Sequence, residues 1–251
     1  MLLVMDIGVY LKFMDKDEIM IKIENVRKVY GEGDAAVVAL DNISLEIPSG
    51  KFVAIIGKSG SGKSTLLNLI GGLDTTTTGK INCDDVYLND LDNNALSDYR
   101  NKNIGFVFQS FYLEPSFTVL ENVEMPLVIS GMDKKPRREI AIAIINKLGL
   151  ADKTNKKANT LSGGQKQRVS IARALVHSPN LILADEPTGN LDSKNGAEVI
   201  AILREISNEG KTVILVTHNM EDAKKTDYII EIADGNIYKI IDERVVCNEN
   251  N

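Results

Sequence analysis

Residues 51–73, KFVAIIGKSGSGKSTLLNLIGGL, constrain the fold more than any other stretch of the chain. KFVAIIG is apolar and rich in β-branched residues, GKSGSGKST is a glycine-serine loop, and LLNLIGGL carries Leu66, Ile70 and Leu73 at helical spacing. Strand, loop and helix are therefore predicted in that order. In this setting Gly57, four residues, Gly62, Lys63 and Ser64 read as a phosphate-binding loop. Its members Gly57, Lys58, Ser59, Gly60, Ser61, Gly62, Lys63, Ser64 and Thr65 would turn backbone N–H groups and a helix N-terminus toward an anion. Lys63 suits the β and γ phosphates of a nucleotide, and the Ser64 hydroxyl suits Mg2+.

Two more strand ends bring polar groups. LILA at 181–184 is the continuous apolar run expected of a strand buried on both faces of a parallel sheet. Asp185 and Glu186 stand at its carboxyl end, where open α/β sheets place ligands. Asp185 is expected to hold the metal, directly or through water, and Glu186 to polarise the attacking water as general base. An acidic pair before Pro187 is, taken alone, also an ordinary turn. TVILVT at 212–217 delivers His218, either to donate to the γ-phosphate and orient the water or simply to end a strand. His177, in the tail of a helix, is assigned no functional role.

Composition sets the outer limits. A chain of 251 residues, 43% hydrophobic and 25% charged, accommodates one large α/β domain with a sizeable insert. No apolar run reaches the roughly 18 residues that a membrane-spanning helix needs. The net charge of -6 gives no electrostatic basis for binding nucleic acid. KKPRR at 134–138 reads instead as the solvated start of an amphipathic helix continuing through Ile140, Ile144, Ile145 and Leu148, with Pro136 in its first turn. Cys83 and Cys247 lack metal-type spacing, which points away from a zinc site or disulfide framework and toward a reducing compartment. Residues 1–18 lack the positive leader and cleavage site of a signal peptide and read as an extension ahead of a domain over 19–251. Within that domain, segments 19–47 and 79–89 are expected to form an antiparallel flank, and 110–160 a helical insert. DYIIEIADGNIYKII is expected to be a hairpin turning at Asp234-Gly235.

GKSGSGKS, FQS around Gln109, LSGGQ at 161–165, LILADE, GNLD at 189–192 and THN around His218 together resemble an ATP-binding cassette (ABC) ATPase over about residues 19–241. IGGLD, IGFVFQ, FTVLENVEMPL and ADEPTGNLD further resemble the group of lipoprotein-release, macrolide-efflux, bacitracin-resistance and cell-division cassettes. The resemblance implies an α/β fold, a phosphate-loop core with a mostly parallel sheet, an antiparallel flank and a helical insert. It implies that Tyr30 stacks on adenine and that Gln109 touches Mg2+ and senses the γ-phosphate. By the same resemblance Ser162, Gly163, Gly164 and Gln165 form the signature and Asp192 contacts an opposing subunit. GNLD stands where many cassettes have SALD.

Ser162 is also a natural N-cap for a helix through QKQRVSIARALV, with Val169, Ala172 and Val176 on one face. Such an N-terminus is an anion site in its own right. The family pairs head to tail, so LSGGQ is expected to close on the ATP held by another chain, in a homodimer around two nucleotides. An integral membrane permease of the efflux or lipoprotein-release type is the expected partner. The chain would then lie in the cytoplasm, peripheral to the inner face of the cell membrane. Tyr112 and Phe117, in a segment holding four of six phenylalanines between 106 and 117, either meet that permease or fill the core of the insert. Rival functions are a soluble ABC ATPase acting as an assembly scaffold and a DNA-repair or translation cassette.

Overall fold

A computed structural model describes residues 18–243, so Cys247 and, apart from Glu18, the extension expected over 1–18 lie outside the described residues. In chain order the first elements are β1 (Ile19–Tyr30), β2 (Val37–Pro48), β3 (Phe52–Ile56), α1 (Lys63–Ile70), β4 (Thr78–Cys83) and β5 (Val86–Tyr87). Then come α2 (Asn93–Asn103), β6 (Ile104–Phe108), α3 (Val119–Ile129), α4 (Lys134–Lys147) and α5 (Gly163–Leu175). The last are β7 (Leu181–Asp185), α6 (Ser193–Asn208), β8 (Thr212–Val216), α7 (Met220–Ala223), β9 (Tyr228–Ala233) and β10 (Asn236–Asp242). The chain forms two compact units, one of residues up to Ser97 together with those from Arg204 onward, the other Asp98–Leu203.

The first unit contains the predicted antiparallel flank: β1 pairs with β2 and β4, and β4 pairs with β5. It also contains β3, which runs parallel to β8 on one side and β9 on the other. Every residue of β3 and of β8 is buried, which is why both read as unbroken apolar runs and not as alternating ones. β9 and β10 form the expected hairpin, and Asp234 (φ 47°) and Gly235 (φ 76°) supply the two left-handed residues a tight hairpin turn requires. α1 buries Leu66, Leu67, Leu69 and Ile70. Leu73 departs from its expected place on that face. The helix stops at Ile70, Gly72 turns the chain at φ 61°, and Leu73 is 48% exposed.

In the second unit β6 and β7 are parallel, in register from Ile104 opposite Leu181 to Phe108 opposite Asp185. α5 packs on β6, and α3, α4 and α5 pack on one another. The segment 110–160 contributes α3 and α4 to this unit. α4 takes Pro136 in its first turn, as expected, and buries Ala141 and Ile145, with Leu148 following, whereas Ile140 and Ile144 are half-buried. α3 opens with a capping box. Thr118 Oγ1 accepts from the Glu121 amide at 3.2 Å and Glu121 Oε2 accepts from the Thr118 amide at 2.7 Å. Val119, Leu120, Val123 and Leu127 supply its buried face, and the rings of Tyr112 (66% exposed) and Phe117 (41%) are outside it. Of the two readings of those rings, the surface one fits.

The loop before α3 hangs on one fully buried side chain. Asn122 Oδ1 accepts from the Glu114 amide at 2.8 Å, and its Nδ2 donates to the carbonyls of Glu114 at 3.1 Å and Thr118 at 3.0 Å. Asn122→Ala would strand those backbone groups, at a cost of about 1–3 kcal/mol. Urea denaturation is expected to show this loss, whereas Phe117→Ser should leave the midpoint close to that of the parent.

Candidate functional site

The phosphate loop lies in the first unit, between β3 and α1. Its winding depends on glycine. Gly57 and Gly62 hold φ of 152° and 105°, and a Cβ would fall 2.2 Å from the Ile232 carbonyl oxygen at Gly57 and 2.6 Å from that of Ala39 at Gly62. Any side chain at either position would collide with backbone. Lys63 is buried and donates to the carbonyls of Gly57 at 2.9 Å and Lys58 at 2.8 Å, so its ammonium closes the loop on itself. Ser61 Oγ is buried with no hydrogen-bond partner among the described residues, although the Ser61 carbonyl accepts from Gly235 at 3.1 Å. A buried hydroxyl and a glycine-wound cradle beside an ammonium fit a phosphate chain.

The β3–β8 register places a second candidate. Ile55 lies opposite Val216, so Gly57 and His218, each two residues further on, leave their strands on the same edge. His218 is exposed there. At the end of β1, Tyr30 is 42% exposed, and its hydroxyl donates to Asp74 Oδ2 at 2.7 Å. Lys28 braces the same carboxylate at 2.6 Å and stands 4.8 Å from the centre of the Tyr30 ring. Burial, then the hydrogen bond with Asp74, raise the Tyr30 phenol above its ordinary value, an effect opposed by the Thr65 hydroxyl. Burial pushes the Asp74 carboxyl up but is outweighed by hydrogen bonds from Lys28, Tyr30 and the Thr75 amide, which leave it below its ordinary value. The ring is thereby fixed in place as a half-open flat surface. Lys28 and Asp74 escaped the sequence reading, because nothing in a single sequence marks a pairing 46 residues apart.

The second unit carries the other candidates. Because Phe108 lies opposite Asp185, the next residues, Gln109 and Glu186, leave parallel strands on one edge. Glu186 has φ 46°, a left-handed conformation unusual for glutamate, and its carbonyl accepts from the Gly189 amide at 3.0 Å in the turn that follows. Strain of this kind is concentrated at functional sites. Gln167, fully buried in α5, donates to the Pro187 carbonyl at 2.8 Å and the Phe108 carbonyl at 3.3 Å, bracing both strand ends. Ser162 caps α5 as expected. Its Oγ accepts from the Gln165 amide at 3.4 Å, and Gln165 Oε1 accepts from the Ser162 amide at 3.0 Å. That leaves the Gly163–Gly164 turn at a helix N-terminus. Gly164 approaches Asn195 so closely that a Cβ would lie 2.1 Å from Asn195 Oδ1. His177, past the end of α5, has its Nε2 buried without a hydrogen-bond partner among the described residues.

Asp192 opens α6. Its Oδ1 accepts from the Asn195 amide at 2.9 Å and its Oδ2 from Asn195 Nδ2 at 2.7 Å. Those two bonds, the backbone one first, lower the Asp192 carboxyl below its ordinary value. Ser64 in the first unit carries a hydroxyl, and Gln109 and Asp185 in the second carry an amide and a carboxylate; each is an oxygen donor of the kind hard cations take.

An α/β chain with a glycine-wound phosphate loop, an acidic pair ending a parallel strand and a separately capped glycine signature belongs to the class of phosphate-loop nucleotide-binding proteins. Residues 40–189, more than half of the chain, match the family described as ABC transporter. The ABC transporter ATP-binding protein YvrO of Bacillus subtilis is 47% identical over 225 residues, covering 90% of this chain and 97% of that protein. The macrolide export ATP-binding/permease protein MacB of Aggregatibacter actinomycetemcomitans is 49% identical over 227 residues, 90% of this chain but 35% of that one. Among solved structures, the dimeric post-hydrolysis state of the ATP-binding cassette MJ0796 bound to ADP and Pi matches with a TM-score of 0.82 and 45% identity, covering 90% of this chain and 99% of that chain. MJ0796 comes from Methanocaldococcus jannaschii. The chain belongs to the ABC transporter family.

The Asp192 cap has a defined pH signature. A carboxyl lowered by folding stabilises the protein above the unfolded value of about 3.9 and ceases to do so as pH falls through the lower folded value. Asp192→Ala is therefore expected to lower the melting temperature at pH 7, and the gap from the parent should narrow as pH drops below about 4. A gap that stays constant with pH would assign the cap to something other than the carboxylate.

Proposed function

We propose that this chain is the ATP-hydrolysing subunit of an ABC exporter of the lipoprotein-release or macrolide-efflux type, working with a separate integral membrane permease. The observation that carries the reading is the presence, in one chain, of a complete phosphate loop and of a second, independently capped glycine turn at Ser162–Gln165. One nucleotide engages one such loop, so the second turn serves the nucleotide of another copy. Two copies pairing head to tail would enclose two ATP molecules. That MJ0796 was solved as a dimer bound to ADP and Pi supports the pairing of two copies.

The residues divide the chemistry. Tyr30, held by Asp74, offers its ring to adenine. The amides of Gly57–Thr65 and the ammonium of Lys63 take the phosphates, for which Lys63 must leave the Gly57 and Lys58 carbonyls. Ser64, Gln109 and Asp185 would hold Mg2+, which would supply positive charge to offset that of the phosphates. Glu186 draws the proton from the attacking water, and His218 donates to the γ-phosphate and orients that water. Ser162, Gly163, Gly164, Gln165 and Asp192 belong to the face turned to the partner copy. Closure is favoured while ATP contributes contacts to both copies and is lost on hydrolysis.

The permease docks on the second unit. Tyr112, Phe117, Val128 and Ile129 of that unit are 66%, 41%, 48% and 72% exposed, so their apolar side chains are open to a partner. Among the described residues no helix is long and apolar enough to cross a membrane, so the chain would meet the inner face of the cell membrane through that partner. MacB, named as an ATP-binding/permease protein, carries both functions in one chain, and this chain matches about a third of it.

Glu186→Gln should retain ATP binding while slowing hydrolysis by about 10²- to 10⁴-fold, roughly 3–5.5 kcal/mol in the barrier. Size-exclusion chromatography should then show an ATP-bound dimer. Near-parental turnover by the purified variant would remove Glu186 from the mechanism. In parallel, Phe117→Ser should weaken copurification of a coexpressed permease partner while basal ATPase persists. Unchanged recovery of the permease would remove Phe117 from the docking surface.

A further inference from the structure

The GNLD stretch does more in this chain than connect β7 to α6. Asn190 Nδ2 donates to the backbone carbonyl of Gln109 at 2.9 Å, and Gln109 Nε2 donates to Asn190 Oδ1 at 3.4 Å. The two bonds together determine the orientation of both amides. A backbone carbonyl can only accept, so Asn190 must present its NH2 end to it. Its oxygen end then faces the Gln109 side chain, which must answer with Nε2. Gln109 Oε1 is consequently the end not committed to Asn190. Gly189 completes the mount, because a Cβ there would lie 2.5 Å from Gln109 Nε2.

The backbone around Gln109 is braced as well. Gln167 donates to the Phe108 carbonyl at 3.3 Å, and Arg173 donates to the Phe111 carbonyl at 2.8 Å and to that of Tyr112. Phe111 and Tyr112 are held at φ 59° and 48°. With the chain fixed on both sides, the remaining freedom at Gln109 lies in its side chain, whose amide has two chemically opposite ends. Only the oxygen end can ligate Mg2+. A hydrogen bond that orients a metal ligand typically accounts for about 10- to 100-fold in metal affinity.

We propose that Asn190, with room provided by Gly189, is a positioning residue that presents Gln109 Oε1 rather than Nε2 to the nucleotide-bound metal. The proposal rests on the reading of Gln109 as a Mg2+ ligand. It gives the asparagine of GNLD a task that alanine, in cassettes reading SALD, cannot perform in the same way.

The test uses the full chain with a non-hydrolysable ATP analogue and Mn2+ as the paramagnetic stand-in for Mg2+. Free Mn2+ is measured by electron paramagnetic resonance, and affinity for the analogue alone is measured separately in EDTA. Asn190→Ala and Gly189→Ala are the variants, with Gln109→Ala as the reference. Asn190 and Gly189 are exposed, and Gly189 is not at positive φ, so neither change strains the fold. Each is expected to weaken Mn2+ binding about tenfold while metal-free analogue affinity and melting temperature stay unchanged. If Gln109→Ala weakens Mn2+ binding and the other two do not, the positioning role is overturned while the ligand role stands. If Gln109→Ala leaves Mn2+ affinity intact, the ligand role itself fails and the proposal with it. A parallel loss of metal-free affinity or of melting temperature in the two variants would mean general loosening and would also overturn it.

Discussion

The loop between β3 and α1 is wound tightly on glycines at positive φ, and the packing about it follows from that winding. Such a loop needs residues without side chains where it passes the neighbouring backbone, hence Gly57 against Ile232 and Gly62 against Ala39. It needs a rigid strand to launch it, hence a β3 buried along its whole length between two parallel neighbours. It also needs a cation to offset the anion it attracts. Lys63 is bonded to the loop's own carbonyls, which satisfies its buried ammonium.

The second unit applies a different device to the same class of problem. Here the groups are carried by side chains, and polar side chains at the helix and strand ends, of which Gln167 is buried, hold them. Gln167 ties Phe108 to Pro187, Asn190 grips Gln109, and Asp192 caps α6 through Asn195. These bonds join backbone carbonyls and amides that leave regular structure at the strand ends and would otherwise lack partners. The left-handed Glu186 is affordable in that setting because its carbonyl is taken by Gly189. Precision at a loop is thus obtained by bracing the backbone first and orienting the side chain second.

Much of this was legible in the sequence, for identifiable reasons. β3, β7 and β8 announce themselves because full burial demands apolar runs, and the β9–β10 hairpin because Asp-Gly suits its turn. The Ser162 cap follows from residue type and spacing. What stayed hidden are contacts between residues distant in the chain: Lys28 with Asp74, Asn122 with the loop ahead of it, and Asn190 with Gln109 across 81 positions. Periodicity also overreached at Leu73, where two glycines end the helix before the apolar spacing does. For Tyr112 and Phe117, composition alone could not separate a core ring from a surface ring, since both uses favour aromatics.

The account turns on Ser162–Gln165 acting on the nucleotide of another copy. The most direct measurement compares ATP hydrolysis by two purified, differently tagged heterodimers with the same mutational content. In one, Lys63→Ala is on one chain and Ser162→Arg is on the other; in the second, both changes are on one chain and the partner is wild type. Pairing across the dimer leaves one intact composite site in the first heterodimer and damages both sites in the second, so the first is predicted to be the more active. Higher activity in the second would contradict the account, because it would mean that each signature serves its own chain's phosphate loop.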